Sequence, residues 1–375
     1  MTWTGDPGEV RLMIEAVHHA CGSEDFDAAA AVLYNRVYHG PDSYSTHILG
    51  AWETMLDTLT GFYPFRDLSL DPRTEDPAAR RWILHETAAC LHTLGRLRLA
   101  SELGGRAVTA AVEAGDRHNA AISYHNLAES HLAAGALASC RAVASEALRL
   151  AVDAHMGEDE LVACTILGHL DDLAQRHERA GLRYSRALEI ALTETSVPLL
   201  YSLSGVRYAD HLSAAGQPDQ ALAVVLANLE FCRTQGWQSD IALSLAQLAA
   251  LSPTSAEALS QADEAVRVSR TIGAKQVLAQ TLLVRARLAV HADALDDARA
   301  DLSEALGHVQ SASYRLLEVD TRTMLALVRY RQGELASATA EAQLAERLGR
   351  ELDYVAGYRE ASDILRTLRD GLANP

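Results

Sequence analysis

Histidine and glutamate side chains at helical spacing are the groups in this sequence best suited to chemistry. His125 and Glu129 are four residues apart, so on a helix they share one face and could act as an acid–base pair on a bound small molecule. With His85 and His169 they offer imidazole and carboxylate ligands that suit zinc or iron. The alternative, which we favour, is that they are solvated residues of a groove, because the chain has 15 histidines and no flanking motif.

Recognised motifs for phosphate binding and for hydrolysis are missing from the sequence. It contains no Gly-rich phosphate loop and no Gly-x-Ser-x-Gly elbow. His85-Glu86 begins like the metalloprotease motif His-Glu-x-x-His, but Ala89 stands where the second histidine must be. The sequence therefore favours a protein that is not an enzyme, and we expect no cofactor.

The composition favours a helical protein. Of 375 residues, 49% are hydrophobic and only 5% aromatic, and alanine and leucine, both strong helix formers, dominate. A net charge of −17 repels phosphate backbones, so we expect no nucleic-acid partner. Five dispersed cysteines, no signal peptide and no apolar run of membrane-spanning length predict a cytoplasmic protein without a membrane partner.

Small residues recur in a ladder with a period of about 40 residues. In each unit the second small residue follows the first by 12 positions, and the third follows the second by seven. Alanine or glycine fills 19 of the 21 positions, where close helix crossings exclude large side chains. The positions are Ala88/Ala100/Ala107, Ala128/Cys140/Ala147, Gly168/Ala180/Ala187, Ala209/Ala221/Asn228, Ala246/Ala258/Ala265, Ala286/Ala298/Ala305 and Ala326/Ala338/Ala345.

This ladder resembles the tetratricopeptide repeat (TPR), a helix-turn-helix unit with small residues at its eighth, twentieth and twenty-seventh positions. The usual TPR period is roughly 34 residues, and its large aromatics are largely missing here, Tyr124 being one survivor. The longer period is similar to that of sensor solenoids in bacterial signalling proteins, while HEAT repeats remain the structural alternative. The resemblance implies an all-α, right-handed α-α superhelical solenoid of TPR-like helix-turn-helix repeats.

The repeats divide the chain into three predicted parts. Residues 1–78 form capping helices and a Pro-rich loop, which is either a hinge or a packed loop. Residues 79–350 hold seven TPR-like repeats, and residues 351–375 form a C-terminal capping helix with polar outward positions that include Glu360.

The TPR resemblance implies that the first helix of each unit lines a concave groove, and this assigns candidate binding residues. They are histidine-rich and acidic toward the N-terminal half and arginine-bearing toward the C-terminal half. Lower-ranked candidates among them are His125 and Glu129 for catalysis, and His85, His125 and His169 for a metal. The groove residues are Trp82, His85, Glu86, His92, His125, Asn126, Glu129, His169, Asp172, Arg207, Asp210, Gln247, Gln280, Arg287, His291, Asp320, Tyr330 and Arg331.

Three functions fit this groove. The leading hypothesis is a binding protein, an adaptor or signalling sensor that recognises a peptide or protein partner in the groove and could also form homo-oligomers. The second is a protein that binds or converts a small molecule through its histidine-bearing half. The third is a peptide-sensing regulator of the quorum-sensing kind, although the first 80 residues are acidic and lack a basic recognition helix.

Overall fold

A computed structural model describes residues 7–40, 43–252 and 257–373. Residues 1–6 and 374–375, which belong to the predicted terminal parts, lie outside the described residues. Across these ranges the secondary structure is helical and contains no strand. None of the described helices is both long enough and apolar enough to cross a lipid bilayer.

The N-terminal region precedes the repeats and consists of short helices. The second helix continues directly into a π-helical segment, and a separate π-helical segment precedes the third helix. The elements are α1 (Pro7–Gly22), α2 (Phe26–Val32), π-helical Leu33–Tyr38, π-helical Tyr44–Ile48 and α3 (Trp52–Thr60).

The Pro-rich loop that follows α3 is packed against its neighbours. Arg106 donates hydrogen bonds to the carbonyl oxygens of Leu68 (2.6 Å) and Leu70 (2.7 Å). The carboxylate of Asp27 accepts hydrogen bonds from the Thr74 hydroxyl and from the backbone nitrogen of Glu75 (3.0 Å). Of the two alternatives for this segment, the contacts support the packed loop.

In the described ranges, fourteen further helices form seven antiparallel pairs, and a last helix covers the end of the stack. The first helix of each pair is the inner one. The pairs are α4 (Pro77–Thr93) with α5 (Leu97–Glu113), α6 (Arg117–Ala133) with α7 (Leu137–Ala154), α8 (Gly157–Leu173) with α9 (His177–Thr193), α10 (Ser202–Ala214) with α11 (Pro218–Gln235), α12 (Gln238–Leu251) with α13 (Ala258–Ile272), α14 (Lys275–His291) with α15 (Leu295–Ala312), and α16 (Arg315–Arg331) with α17 (Leu335–Glu351), followed by α18 (Val355–Ala373).

The small-residue ladder lies at the helix crossings. All of its positions are buried, which is the expected result where two backbones approach closely. Asn228 is the polar residue of the ladder, and it is buried because its side chain has hydrogen-bonding partners inside the fold. It accepts a hydrogen bond from the backbone nitrogen of Ser202 (2.7 Å) and donates one to Ser244 (3.2 Å). Asn228 therefore anchors the start of the short helix α10.

A fully buried carboxylate fixes the end of α8. The side chain of Asp171 has no exposed surface and pairs with several guanidinium groups. A buried carboxylate needs such partners to offset its lost hydration. The arginines are Arg141 (3.0 Å), Arg176 (3.0 Å), Arg179 (3.3 Å) and Arg183 (3.1 Å).

The superhelix closes on itself within one turn. Gly95, in the turn between α4 and α5, lies against Ala312 at the end of α15. Gly135, in the turn between α6 and α7, lies against Arg315 and Leu352. The first two repeats therefore contact the sixth and seventh, and the concave face becomes the wall of a central, partly open cavity.

Candidate functional site

The inner helices and α18 surround a central cavity of about 1410 Å³. Ligand pockets for small molecules usually have volumes of ~300–1,000 Å³, so this cavity has room for a larger ligand. Apolar side chains such as Trp82, Val206 and Leu243 form part of its wall, and polar side chains are distributed between them.

Most of the candidate groove residues line this cavity. They are Trp82, His85, Glu86, His92, Asn126, Glu129, His169, Asp172, Arg207, Asp210, Gln247, Gln280, Arg287 and Asp320. His291, Tyr330 and Arg331 do not line it, because α14 lines the cavity only as far as Arg287 and α16 only as far as Asp320. The side chain of His125 is also directed elsewhere: it is buried, and its Nδ1 lies 3.9 Å from Asp159 of α8.

A buried ion pair crosses the cavity wall between the second and fourth repeats. Arg207 of α10, only 6% exposed, donates from one nitrogen to both carboxylate oxygens of Glu129 on α6, at 2.7 and 2.6 Å. Since both oxygens of Glu129 are engaged by a cation, this carboxylate is not free to work with His125 as an acid–base pair. The arrangement therefore gives no support to catalysis by these two residues.

Burial keeps two histidines of the cavity wall, His85 and His169, neutral. Desolvation lowers the pKa of His85 to about 4 and that of His169 to about 3. Asn126 donates to Nε2 of His85 (3.1 Å), which leaves the proton on Nδ1 for a hydrogen bond to Ser123 (3.4 Å). Near neutral pH these rings are thus hydrogen-bonding groups without charge.

The three candidate metal-binding histidines are not drawn into one cluster. His85 is engaged by Asn126 and Ser123, while His125 faces Asp159. Within the described residues, the group whose ligand atoms come close together is another one, formed by Asp172, His177 and His211.

Carboxylates outnumber guanidinium groups in the cavity wall. Its acids come from both halves of the chain and not chiefly from the N-terminal half, whereas both of its arginines come from the C-terminal half, as predicted. Seven carboxylates (Glu86, Glu129, Asp172, Asp210, Asp240, Asp320 and Glu360) face two guanidinium groups (Arg207 and Arg287). The lining is therefore strongly negative.

Four of these carboxylates accept hydrogen bonds from neutral donors. Gln247 donates to Asp210 (2.7 Å), Ser202 to Asp240 (2.6 Å) and Tyr354 to Asp320 (3.0 Å). The side chains of Tyr38 and Trp82 donate hydrogen bonds to Glu86. Neutral donors offset burial only in part.

Burial consequently raises the pKa values of these carboxyl groups. The pKa of Glu86 rises to about 7, that of Asp320 to about 7 and that of Asp210 to about 6, with desolvation as the largest cause in each case. A cationic ligand would offset the free-energy cost of this desolvation by supplying the missing counter-charge.

Several residues that line the cavity were not among the candidates assigned from the sequence. Asp240 lies at the start of α12, outside the assigned positions, and Tyr354 and Glu360 lie at the start of the capping helix, where Glu360 was expected to point outward. His177 opens an outer helix, and His211 lies one position past an assigned one. No local pattern marks these residues: the turn after α8 brings His177 to the cavity, helix stacking brings His211, and the packing of the last helix brings Tyr354 and Glu360.

Glu86→Gln should stabilise the protein at alkaline pH. The pKa of Glu86 is raised in the folded state, so the wild type loses stability as pH rises from the usual glutamate pKa through about 7, whereas glutamine cannot ionise. We expect a gain of about 1–3 kcal/mol near pH 8.5 and almost none near pH 5. Urea unfolding at several pH values measures the difference.

The exposed Glu113→Gln is the control for that experiment. Glu113 lies at the end of α5 in solvent, so its replacement should change stability equally at pH 6 and at pH 8.5, within about 0.5 kcal/mol. A gain for Glu86→Gln that does not vary with pH would contradict the assignment of a desolvated carboxyl group.

The architecture is similar to that of known Rap proteins. The Rap conjugation gene regulator of the plasmid pLS20 in complex with the Phr* peptide superposes with a TM-score of 0.61 at 9% sequence identity, over 92% of this chain and 96% of that chain. A Rap protein complexed with Competence and Sporulation Factor gives a TM-score of 0.53 at 14% identity, over 98% of this chain and 99% of that one.

A third similar structure is the APC/C hetero-tetramer Cut9-Hcn1, with a TM-score of 0.53, 14% identity and coverage of 95% of this chain and 62% of that chain. No family model and no curated protein matches the sequence. At these identities the likeness concerns the fold. The chain is an all-α superhelical solenoid of helix-turn-helix repeats, of the tetratricopeptide type that its alanine ladder predicted.

Proposed function

We propose that this protein is a non-enzymatic binding module that takes a short cationic peptide, or a cationic segment of a partner protein, into its central cavity. The observation that carries the proposal is the acidic lining of the cavity, in which seven carboxylates face two guanidinium groups. Charge complementarity of this kind selects ligands with lysine, arginine or a free amino group.

Three features support a peptide over a small metabolite. The volume of about 1410 Å³ exceeds the usual range for small-molecule pockets. The wall combines apolar surface with side-chain amides and hydroxyls, which is suited to an extended backbone. In addition, the structure with the higher TM-score among those above contains a Rap protein in complex with the Phr* peptide.

Binding should weaken as the solution is acidified. A cationic side chain prefers the ionised carboxylates, and the pKa of Asp320 and that of Glu86 are both raised to about 7 in the free protein. Below that pH the carboxyl groups are protonated, and the ligand loses its counter-charges. We expect the affinity to fall at least about tenfold from pH 8 to pH 6, measured by fluorescence anisotropy with labelled peptides.

Matched variants distinguish the cavity from the acidic surface. Asp320→Asn keeps the shape and the hydrogen bond from Tyr354 but removes one lining charge, so it should weaken the same peptide about tenfold or more. Asp297→Asn removes one exposed charge on α15 and should leave affinity unchanged. Equal effects of the two substitutions, or a preference for acidic peptides over basic ones, would sink the proposal.

A further inference from the structure

One cluster in the cavity wall has the composition of a metal site. Asp172, His177 and His211 each offer one ligand atom, and these atoms all lie within 4.8 Å of one another. Nδ1 of His177 lies 2.9 Å from Oδ1 of Asp172, and Nδ1 of His211 lies 3.0 Å from the same oxygen. Each imidazole therefore directs the same ring nitrogen toward a single carboxylate.

The repeat architecture explains this convergence. Asp172 lies in the last turn of α8, and Gln175, with a φ of +56°, reverses the chain so that His177 at the start of α9 returns to it. His211 lies on α10, the next inner helix, which packs beside α8. The turn after α8 thus supplies the imidazole of His177, and the packing of α10 beside α8 supplies that of His211.

One of the three ligands, His211, is held in place by packing. His211 is buried, and the ring of Tyr184 packs against it with centroids 4.9 Å apart, which fixes the plane of the imidazole. In tetrahedral zinc sites with bonds of about 2.0–2.1 Å, neighbouring ligand atoms are separated by about 3.3 Å. The two separations from Asp172 are within a few tenths of an ångström of that value.

We propose that Asp172, His177 and His211 bind a divalent transition-metal ion of the Zn²⁺ class. Two imidazoles and one carboxylate are ligands that this class prefers over Mg²⁺ and Ca²⁺, which take oxygen ligands. All three residues also line the cavity, so the remaining coordination position opens toward its contents. The nearby carboxylate of Asp210 adds favourable negative charge.

The site shares the cavity wall with the proposed peptide ligand, so its test contains no peptide and its failure leaves the peptide proposal untouched. Full-length protein, first dialysed against a chelator, is titrated with Zn²⁺ by isothermal calorimetry, and bound zinc is counted by elemental mass spectrometry. The wild type should bind one Zn²⁺ per chain. His177→Ala should weaken that binding at least about tenfold.

His177→Ala is the decisive variant because the residue is exposed at a helix start, so its removal leaves the core intact. His308→Ala is the matched control: it removes a histidine whose Nε2 lies 3.9 Å from Glu304 on α15, and it should leave Zn²⁺ binding unchanged. Asp172→Asn and His211→Ala should abolish the visible absorption of a tetrahedral Co²⁺ derivative. No zinc bound by the wild type, or equal binding by His177→Ala and His308→Ala, overturns the site.

Discussion

Glu129→Ala should destabilise the protein by about 3–5 kcal/mol, because it leaves the guanidinium group of Arg207 buried without its counter-charge. Arg207 is only 6% exposed, and Glu129 is the carboxylate that accepts its hydrogen bonds, at 2.7 and 2.6 Å. Urea unfolding followed by circular dichroism measures the loss.

The buried position of this pair is what makes the expected loss large. A surface pair at similar distance provides the comparison: Arg149 and Glu146 lie 2.9 Å apart with side chains 63% and 52% exposed. Glu146→Ala should therefore change stability by less than about 1 kcal/mol. A loss for Glu129→Ala that is no greater than the loss for Glu146→Ala would contradict the buried pair.

A double substitution separates the lost attraction from the stranded charge. Glu129→Leu combined with Arg207→Met replaces both ions by apolar groups of similar size, and such replacements are often neutral or stabilising. We expect the double variant to be more stable than Glu129→Ala by at least about 2 kcal/mol. A double variant no more stable than Glu129→Ala would show that the loss does not come from the stranded charge of Arg207.

Gly95→Ala should disrupt the closure of the superhelix. A Cβ at Gly95 would lie 2.4 Å from the Cβ of Ala312 and 3.0 Å from the hydroxyl of Tyr314, so the first repeat and the sixth would have to separate. Forced overpacking costs about 1–3 kcal/mol. Thermal unfolding should detect this loss, and small-angle X-ray scattering should detect a larger radius of gyration.

Gly333→Ala is the control for backbone strain. Gly333 has a φ of +80° and Gly95 a φ of +76°, but a Cβ at Gly333 meets nothing within 4 Å. Both substitutions therefore carry the same left-handed strain of about 1 kcal/mol, and the difference between them reports the contact with Ala312. Equal melting temperatures together with equal radii would falsify the closed arrangement.

The sequence determined the repeats and most of the inner face. The alanine ladder marks helix crossings because large side chains are excluded there, and all of its positions are buried. Glycines such as Gly95 and Gly333 mark the turns between paired helices through their positive φ. These signals are local: each depends on residues within one unit, and the assignment of inner positions placed residues such as Trp82 and Asp210 in the cavity wall.

The closure of the predicted groove into a cavity is a property of the tertiary structure. Each repeat is rotated slightly relative to the one before it. These rotations add up along the chain to a superhelix, and no single repeat encodes the total rotation. The summed rotation closes the cavity at Gly95, while the stacking of inner helices pairs Arg207 with Glu129 two repeats away and brings His211 to Asp172. The tertiary structure also buries acidic side chains of the lining, which is why carboxyl groups that look like ordinary solvated residues in the sequence have raised pKa values in the fold.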